Sequence, residues 1–203
     1  RQRESPRIWQ VTGAKGERIG NEYRDNYGAA KLTFSAKQGH ELLRVTALVK
    51  NVSDTSDPPY APWAIDGVSA WGFSRTIDWR TKGGDSQRSR VEAAEPHRLS
   101  SYDGLYLLHG DGEASPCAYI CKGCQVLWGP SGRLAAAFTL GFAAHKGADV
   151  ANVTPFWFGS YVGQGTEFEL DMIFVAPNDV TTPQLLLLGA RPVPVQIVNG
   201  QDK

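Results

Sequence analysis

Three cysteines lie close together in the middle of the chain, at a spacing that supports several kinds of chemistry. Cys117, Cys121 and Cys124 form a C-x3-C-x2-C pattern, and His109 lies eight residues before the first of them. Three thiolates and one imidazole are a ligand set that zinc accepts. In an exported protein, a disulfide from Cys117 to Cys121 or Cys124 would close a short loop, whereas in a reducing compartment all three would be free thiols. We favour the disulfide and keep zinc as the alternative.

Aromatic residues form a second group with binding chemistry. The chain has six tryptophans, and two of them lie beside prolines in loop-like contexts: Trp63, close to Tyr60, and Trp157, next to Phe156. Exposed aromatic rings stack on sugars and anchor protein interfaces, whereas aromatic rings on an inward face fill a core. We expect most of the tryptophans to be core residues. Tyr60, Trp63, Phe156 and Trp157 are the predicted binding residues, for a protein partner or a glycan.

Signatures of catalysis are missing from the sequence. Residues 159–163 read Gly-Ser-Tyr-Val-Gly, which does not match the Gly-x-Ser-x-Gly elbow of hydrolases. The four histidines occur singly, with no metalloprotease pattern and no glycine-rich phosphate loop. The cysteine spacing also matches iron–sulfur radical enzymes, but those require a β/α barrel that this chain does not predict. We therefore predict that the protein is not an enzyme.

Charge and hydropathy exclude two classes of partner. The chain has 203 residues with 21 basic and 21 acidic side chains, so it lacks the positive charge that nucleic acid binding requires. Its longest apolar run, residues 134–144, is shorter than the roughly 20 residues of a membrane helix. The chain begins with Arg1, which suggests a trimmed chain or a mature form without its signal peptide or lipid anchor. Asn51 and Asn152 each begin a glycosylation triplet, and whether either is used stays open.

The elements that position these residues are predicted to be β-strands. In residues 167–177 the apolar Phe168, Leu170, Met172 and Phe174 alternate with acidic residues, and Pro177 ends the run before a predicted turn at residues 178–179. Side chains on a strand point alternately to opposite faces, so this pattern predicts one buried face and one acidic face in water. Residues 41–52 alternate in the same way and place Leu43, Val45, Ala47 and Val49 on a second buried face. We expect the two strands to share one core.

Strands and turns follow one another along the rest of the chain. Short strands are predicted at 8–11, 30–35, 105–108, 125–128, 184–188 and 193–198, with one or two more in 64–79. Residues 133–142 are ambiguous, and we favour a strand over a helix. The total of nine or ten strands, without an interdomain linker, predicts a single all-β domain over residues 1–203. Residues 80–132, which carry the cysteines, are interpreted as a long insertion.

Two segments resemble the immunoglobulin-like domain of many uncharacterised bacterial secreted proteins and lipoproteins. They are Val49-Lys50-Asn51, at the end of a valine-rich strand, and Phe174-Val175-Ala176-Pro177, before the last hairpin. The resemblance implies an immunoglobulin-like β-sandwich located outside the cytoplasm. A scaffold of this kind hosts many roles. We expect a non-enzymatic binding or assembly module for a protein partner or for copies of itself, with glycan binding or a metal or redox site at the cysteines as alternatives.

Overall fold

A computed structural model gives the fold and describes thirteen parts of the chain. They are residues 9–27, 30–53, 73–80, 83–92, 105–110, 114–117, 119–120, 125–128, 134–144, 153–158, 165, 167–187 and 190–198. All regular structure in these parts is β. Within them, no helix is long and apolar enough to cross a membrane.

Sixteen strands make up the described regular structure, more than the nine or ten predicted. In chain order they are β1 Trp9–Gly20, β2 Glu22–Tyr27, β3 Ala30–Ala36, β4 His40–Asn51, β5 Phe73–Arg80, β6 Ser86–Glu92, β7 Leu105–Leu108, β8 Ala114–Pro116, β9 Tyr119–Ile120, β10 Gln125–Trp128, β11 Leu134–Ala144, β12 Val153–Phe158, β13 Glu167–Pro177, β14 Gln184–Leu187, β15 Val193–Pro194 and β16 Gln196–Val198. Of the ambiguous run at 133–142, the described residues 134–142 lie in strand β11, as predicted.

The strands form four open sheets. The largest has the order β16-β1-β4-β13-β9, and two four-stranded sheets have the orders β2-β3-β5-β6 and β15-β14-β7-β8. The fourth has the order β10-β11-β12. One hydrophobic cluster includes buried residues from the first three sheets, among them Leu43, Phe34 and Leu107. The described part is therefore all-β and consistent with a β-sandwich.

The two strongest sequence patterns pair with each other at the centre of the largest sheet. Strands β4 and β13 are antiparallel, with Leu170 opposite Ala47, Met172 opposite Val45 and Phe174 opposite Leu43. These side chains are buried, which confirms the predicted common core. The side chain of Phe168, predicted to lie on the same face, is outside the described set.

The second face of β13 corrects the sequence prediction. Glu167 and Glu169 are exposed as expected, but Asp171 is only 3 % exposed. Ile173 and Val175 lie on this same face and are buried as well. The second half of β13 is therefore covered on both sides, which strict alternation of apolar and polar residues does not predict.

Aromatic rings from β9, in the same sheet, and from the β2–β3 hairpin of a second sheet lie on this side of β13. Tyr119 lies opposite Ile173 in the pairing of β9 with β13, and its ring centre is 4.7 Å from that of Phe34 on β3 and 6.3 Å from that of Tyr23 on β2. The Tyr119 hydroxyl also donates a hydrogen bond to Asp25 Oδ2 at 2.7 Å. The β2–β3 hairpin is thus joined to the central sheet by ring packing and by one hydrogen bond.

Strand β1 continues to Gly20, beyond the predicted strand at 8–11. Its glycines lie within the strand and do not end it. The register with β4 shifts between Thr12 and Lys15, and Gly13 in this bulge has φ of 61°, a conformation that favours glycine. At Gly16, an added Cβ would lie 3.0 Å from Val195 Cγ1. The absence of a side chain there allows the segment around Val195 to approach the central sheet.

Candidate functional site

A cleft of about 280 Å³ opens where two connections meet at the edge of the β-scaffold. One is the turn that follows β7, and the other joins β13 to β14. The cleft is lined by His109, Gly110, Pro177, Asp179, Val180, Thr181 and Thr182. This is our candidate functional site.

Local sequence fixes the start of the β13–β14 connection. Pro177 ends β13 because it has no N–H group to donate to a neighbouring strand. The backbone then turns, with the Val180 N–H donating to Pro177 O at 3.2 Å and the Asn178 N–H donating to Gly39 O at 3.1 Å. The predicted turn at residues 178–179 is therefore confirmed, and it is tied to the turn that precedes β4.

Arg18 stabilises the β13–β14 connection from the side of the central sheet. Arg18 on β1 forms an ion pair with Glu41, and its guanidinium donates to the carbonyl oxygens of Asn178, at 3.4 Å, and Val180. Arginine presents five N–H donors in a rigid plane, so one side chain can hold several acceptors in place. These bonds fix the backbone on either side of Asp179 against the central sheet.

His109 forms the wall of the cleft opposite this connection. It directly follows β7, is only 9 % exposed, and its Nε2 lies 2.7 Å from Ser115 Oγ on the neighbouring strand β8. Ser115 is also buried, and it lies opposite Leu107 in the β7–β8 ladder. The hydroxyl therefore fixes the orientation of the imidazole ring that lines the cleft.

The lining favours some ligands over others. Asp179, Thr181 and Thr182 are exposed and contribute a carboxylate and two hydroxyl groups. None of the described lining residues is a lysine or arginine. The nearby Arg18 guanidinium is paired with Glu41 and bonded to two backbone carbonyls. An exposed carboxylate attracts cationic groups and repels anions, while hydroxyls bind donors and acceptors alike. The cleft therefore suits a neutral polar or a cationic group.

The His109–Ser115 pair does not make a nucleophilic site. A serine and a histidine at 2.7 Å have the separation of a nucleophile and its base. However, Ser115 is buried and does not line the cleft. A substrate in the cleft would meet the imidazole before the hydroxyl, so the serine positions the ring.

The structure places Cys117 away from this cleft, in the core. Its thiol is free and fully buried, with Sγ lying 3.3 Å from Tyr119 O and 3.8 Å from Ile173 O. Burial raises the pKa of the Cys117 thiol well above its usual range, which keeps it neutral. The disulfide predicted at Cys117 is therefore not formed in this structure.

The other cysteine predictions lie outside the described residues. Cys121 and Cys124 are not described, and the described parts of the chain contain no group of three side chains suited to holding a metal ion. Zinc binding was predicted at Cys117, Cys121, Cys124 and His109 together, and with two of these four residues outside the described parts it stays a prediction.

Of the predicted binding residues, Tyr60 and Trp63 are outside the described parts of the chain. Phe156 and Trp157 lie on β12, opposite Gly141 and Leu140 of β11, but their side chains are not described. Their role in binding stays a prediction.

The burial of Asn51 decides whether this residue can carry a glycan in the folded protein. It is 1 % exposed, and its Oδ1 accepts hydrogen bonds from the backbone N–H of Ser53 at 2.9 Å and from Ser53 Oγ at 2.7 Å. A glycan requires an accessible side-chain nitrogen, so the folded protein does not carry one at Asn51. Asn152 lies outside the described residues.

Comparisons with protein-family models, curated proteins and solved structures found no match for this chain. The resemblance to immunoglobulin-like domains therefore stays a prediction, and the functional argument depends on the geometry. The sequence patterns did not predict this cleft. The turn at 178–179 was visible there, but His109 lies about 70 positions away along the chain, and only the sheet topology brings the two together.

Proposed function

We propose that this protein is a non-enzymatic binding module that recognises a neutral polar or cationic group of its partner in the cleft between His109 and Asp179. The observation that carries the proposal is a polar cleft whose two walls belong to separate connections held by the β-scaffold. Connections positioned by a rigid scaffold are where binding residues concentrate in β-proteins.

The rigidity of the cleft supports binding. On one wall, Arg18 fixes the backbone of Asn178 and Val180, and on the other, Ser115 orients His109. Polar groups that are already in place lose little conformational freedom when a ligand binds. A cleft of about 280 Å³ is small and accommodates a single side chain or headgroup.

The chemistry of the described nucleophiles favours binding over covalent catalysis. The Cys117 thiol is buried and neutral, and the Ser115 hydroxyl lies outside the cleft. Asp179, Thr181 and Thr182 remain exposed, which suits reversible hydrogen bonding and ion pairing.

A titration of the ¹⁵N-labelled protein with small probes tests this proposal. The probes are lysine methyl ester as the cation, a neutral hexose as the polyhydroxyl compound and acetate as the anion. We expect the cation or the hexose to shift the amide resonances of Gly110 and of residues 179–182, and acetate to leave them unchanged.

The variant Asp179→Asn should weaken the response to the cation at least about fivefold, because it removes the carboxylate of the cleft. Glu167→Gln is the matched control, since it neutralises an exposed carboxylate at the other end of β13. The proposal is overturned if no probe shifts these amides, if acetate shifts them most, or if both variants weaken the response equally.

A further inference from the structure

The β13–β14 connection, which forms one wall of the cleft, is held at both of its ends. At its start, Arg18 of β1 donates to the backbone oxygens of Asn178 and Val180. At its end, the oxygen of Pro183 accepts a hydrogen bond of 2.9 Å from the backbone N–H of Val195. Pro183 directly follows the last residue that lines the cleft. The position of the wall therefore depends on two partners that are far apart in the sequence.

The partner at the far end belongs to a short segment that crosses between two sheets. Residues 193–198, which we call the anchor segment, pair as β15 with β14 and as β16 with β1. Val195 lies between these two strands and is only 4 % exposed. The flanking Gln196 and Val198 are exposed, and Ile197 is half-buried. Val195 is thus the one fully buried residue of the anchor segment.

The anchor segment reaches the central sheet because Gly16 has no side chain. A Cβ added at Gly16 would lie 3.0 Å from Val195 Cγ1, closer than the roughly 3.5–4.0 Å at which carbon atoms pack without repulsion. Gly16 lies opposite Ile197 in the ladder of β1 with β16, two positions before Arg18. Strand β1 therefore holds both ends of the cleft wall, directly through Arg18 and indirectly through the contact of Gly16 with Val195.

The anchor segment is attached to its sheet by few interactions. Strand β16 has three residues, whereas β13 in the same sheet has eleven. The pairing of β16 with β1 is parallel, which is slightly less stable per residue than antiparallel pairing. Segments with few buried contacts open locally at a lower free energy than core strands. Local release of the anchor segment would remove the bond that holds Pro183, and with it one end of the wall.

We infer that the anchor segment controls ligand binding in the cleft and that Val195 is a positioning residue for this site. With the segment docked on β1, the wall is fixed at both ends, and with the segment released, Thr181 and Thr182 lose their fixed position. A ligand that binds the fixed wall favours the docked segment, and docking raises the affinity for that ligand by the same factor. The inference rests on the proposed function of the cleft and adds a means of regulating it.

The motion of the wall in the protein without ligand is the first test. Val195→Ala keeps the backbone and removes the methyl groups that reach β1. We expect ¹⁵N relaxation dispersion at Thr181 and Thr182 to increase at least about twofold in this variant. Val49→Ala is the matched control, because Val49 is buried and lies eight positions along β4 from Glu41, about 27 Å away. This control should lower global stability and leave the motion of the wall unchanged.

Affinity is the second test, measured with whichever probe binds the wild-type protein more tightly, lysine methyl ester or the hexose. Val195→Ala should raise the Kd at least about threefold, because the wall must then be ordered when the probe binds. Val49→Ala and Val198→Ala should leave the Kd unchanged. Val198 has the same side chain in the same segment but is 43 % exposed.

A substitution on the other side of the contact checks the route. Gly16→Ala should also raise the Kd, because its Cβ displaces Val195. Gly16→Ala combined with Val195→Ala should bind more tightly than Gly16→Ala alone, since the smaller side chain leaves room for the new Cβ. Independent losses that simply add in this double variant would show that the contact does not carry the effect.

The results distinguish this inference from the proposed function. If neither lysine methyl ester nor the hexose binds the wild-type protein, both fail together. If a probe binds the wild-type protein and Val195→Ala with equal Kd, the cleft remains a binding site and the inference alone is overturned. Losses of affinity in Val49→Ala or Val198→Ala as large as in Val195→Ala would overturn it as well.

Discussion

Two arginine–aspartate pairs in this protein have similar geometry and lie in opposite environments. In the central sheet, Arg44 donates to both oxygens of Asp171 at 2.8 and 2.7 Å, and the two side chains are 37 and 3 % exposed. In the edge hairpin, Arg88 donates to both oxygens of Asp78 at 2.6 and 3.3 Å, but the two side chains are 70 and 35 % exposed. Both pairs join neighbouring strands, so burial is the main difference between them.

Burial determines how much each ion pair contributes to folding. A carboxylate removed from water depends on its partner, because loss of the partner leaves an unpaired buried charge. An exposed pair exchanges its bonds with water at little cost and can take part in binding. The central sheet therefore uses its ion pair for folding, whereas the pair in the edge hairpin stays in contact with water.

Removing half of the buried pair tests this distinction most strongly. Arg44→Ala should lower the free energy of unfolding by about 3 kcal/mol, because Asp171 would remain as a buried charge without its bidentate partner. This is the low end for a buried pair, since the Arg44 side chain is itself 37 % exposed. Urea unfolding followed by tryptophan fluorescence measures this loss.

Replacing both members serves as the control. Arg44→Met combined with Asp171→Leu should cost less than the single change, since no charge is then left unpaired. A loss below about 1 kcal/mol for Arg44→Ala is the size expected of an exposed pair. It would show that burial does not distinguish the two pairs energetically.

An intermediate case is the hydrogen bond between Tyr119 and Asp25, which is partly buried. Tyr119→Phe removes the hydroxyl and keeps the ring packed against Phe34. We expect a loss of about 1.5 kcal/mol, at the low end for a bond to a charged group, because water can reach Asp25. A double-mutant cycle with Asp25→Ala isolates this bond, and a coupling energy near zero would mean that ring packing alone joins the hairpin to the sheet.

The sequence predicted the common core of β4 and β13, though not their direct pairing, because its information is local. Alternation along residues 41–52 and 167–177 was enough to place Val45 and Met172 in one core, and their register confirms it. Alternation also placed Asp171 in water, and this was wrong. The pattern along one strand carries no information about Arg44 on the next strand or about the hairpin that covers this face.

The candidate site was less predictable for a related reason. Its residues are common types in two short connections, and no spacing along the chain links His109 to Asp179. The cysteine pattern was conspicuous by comparison, yet Cys117 serves the core, where small apolar residues and free thiols pack equally well. At Cys117, a conspicuous residue type indicated chemistry that burial disfavours.

Cys117 extends the comparison to a buried group that has no opposite charge beside it. Burial raises the pKa of the folded thiol, whereas the unfolded thiol titrates near 8.5. Below that value both states hold the proton, and above it the unfolded state loses the proton first. Stability should therefore fall as the pH rises beyond about 8.5, by up to ~1.4 kcal/mol per pH unit.

Urea unfolding at several pH values between about 7 and 10 measures this slope. The variant Cys117→Ala keeps Cys121 and Cys124, so the difference in slope between the two proteins belongs to Cys117. Identical slopes would show that the thiol is accessible to water in the folded protein.

The smallest expected effect belongs to the exposed pair. Asp78→Ala should change the free energy of unfolding by less than about 1 kcal/mol, because water replaces the bonds that Asp78 makes to Arg88. The small effect should shrink further between low and high salt, since exposed charges are screened over about 10 Å at 0.1 M ionic strength. A large loss of stability would instead assign this pair to folding.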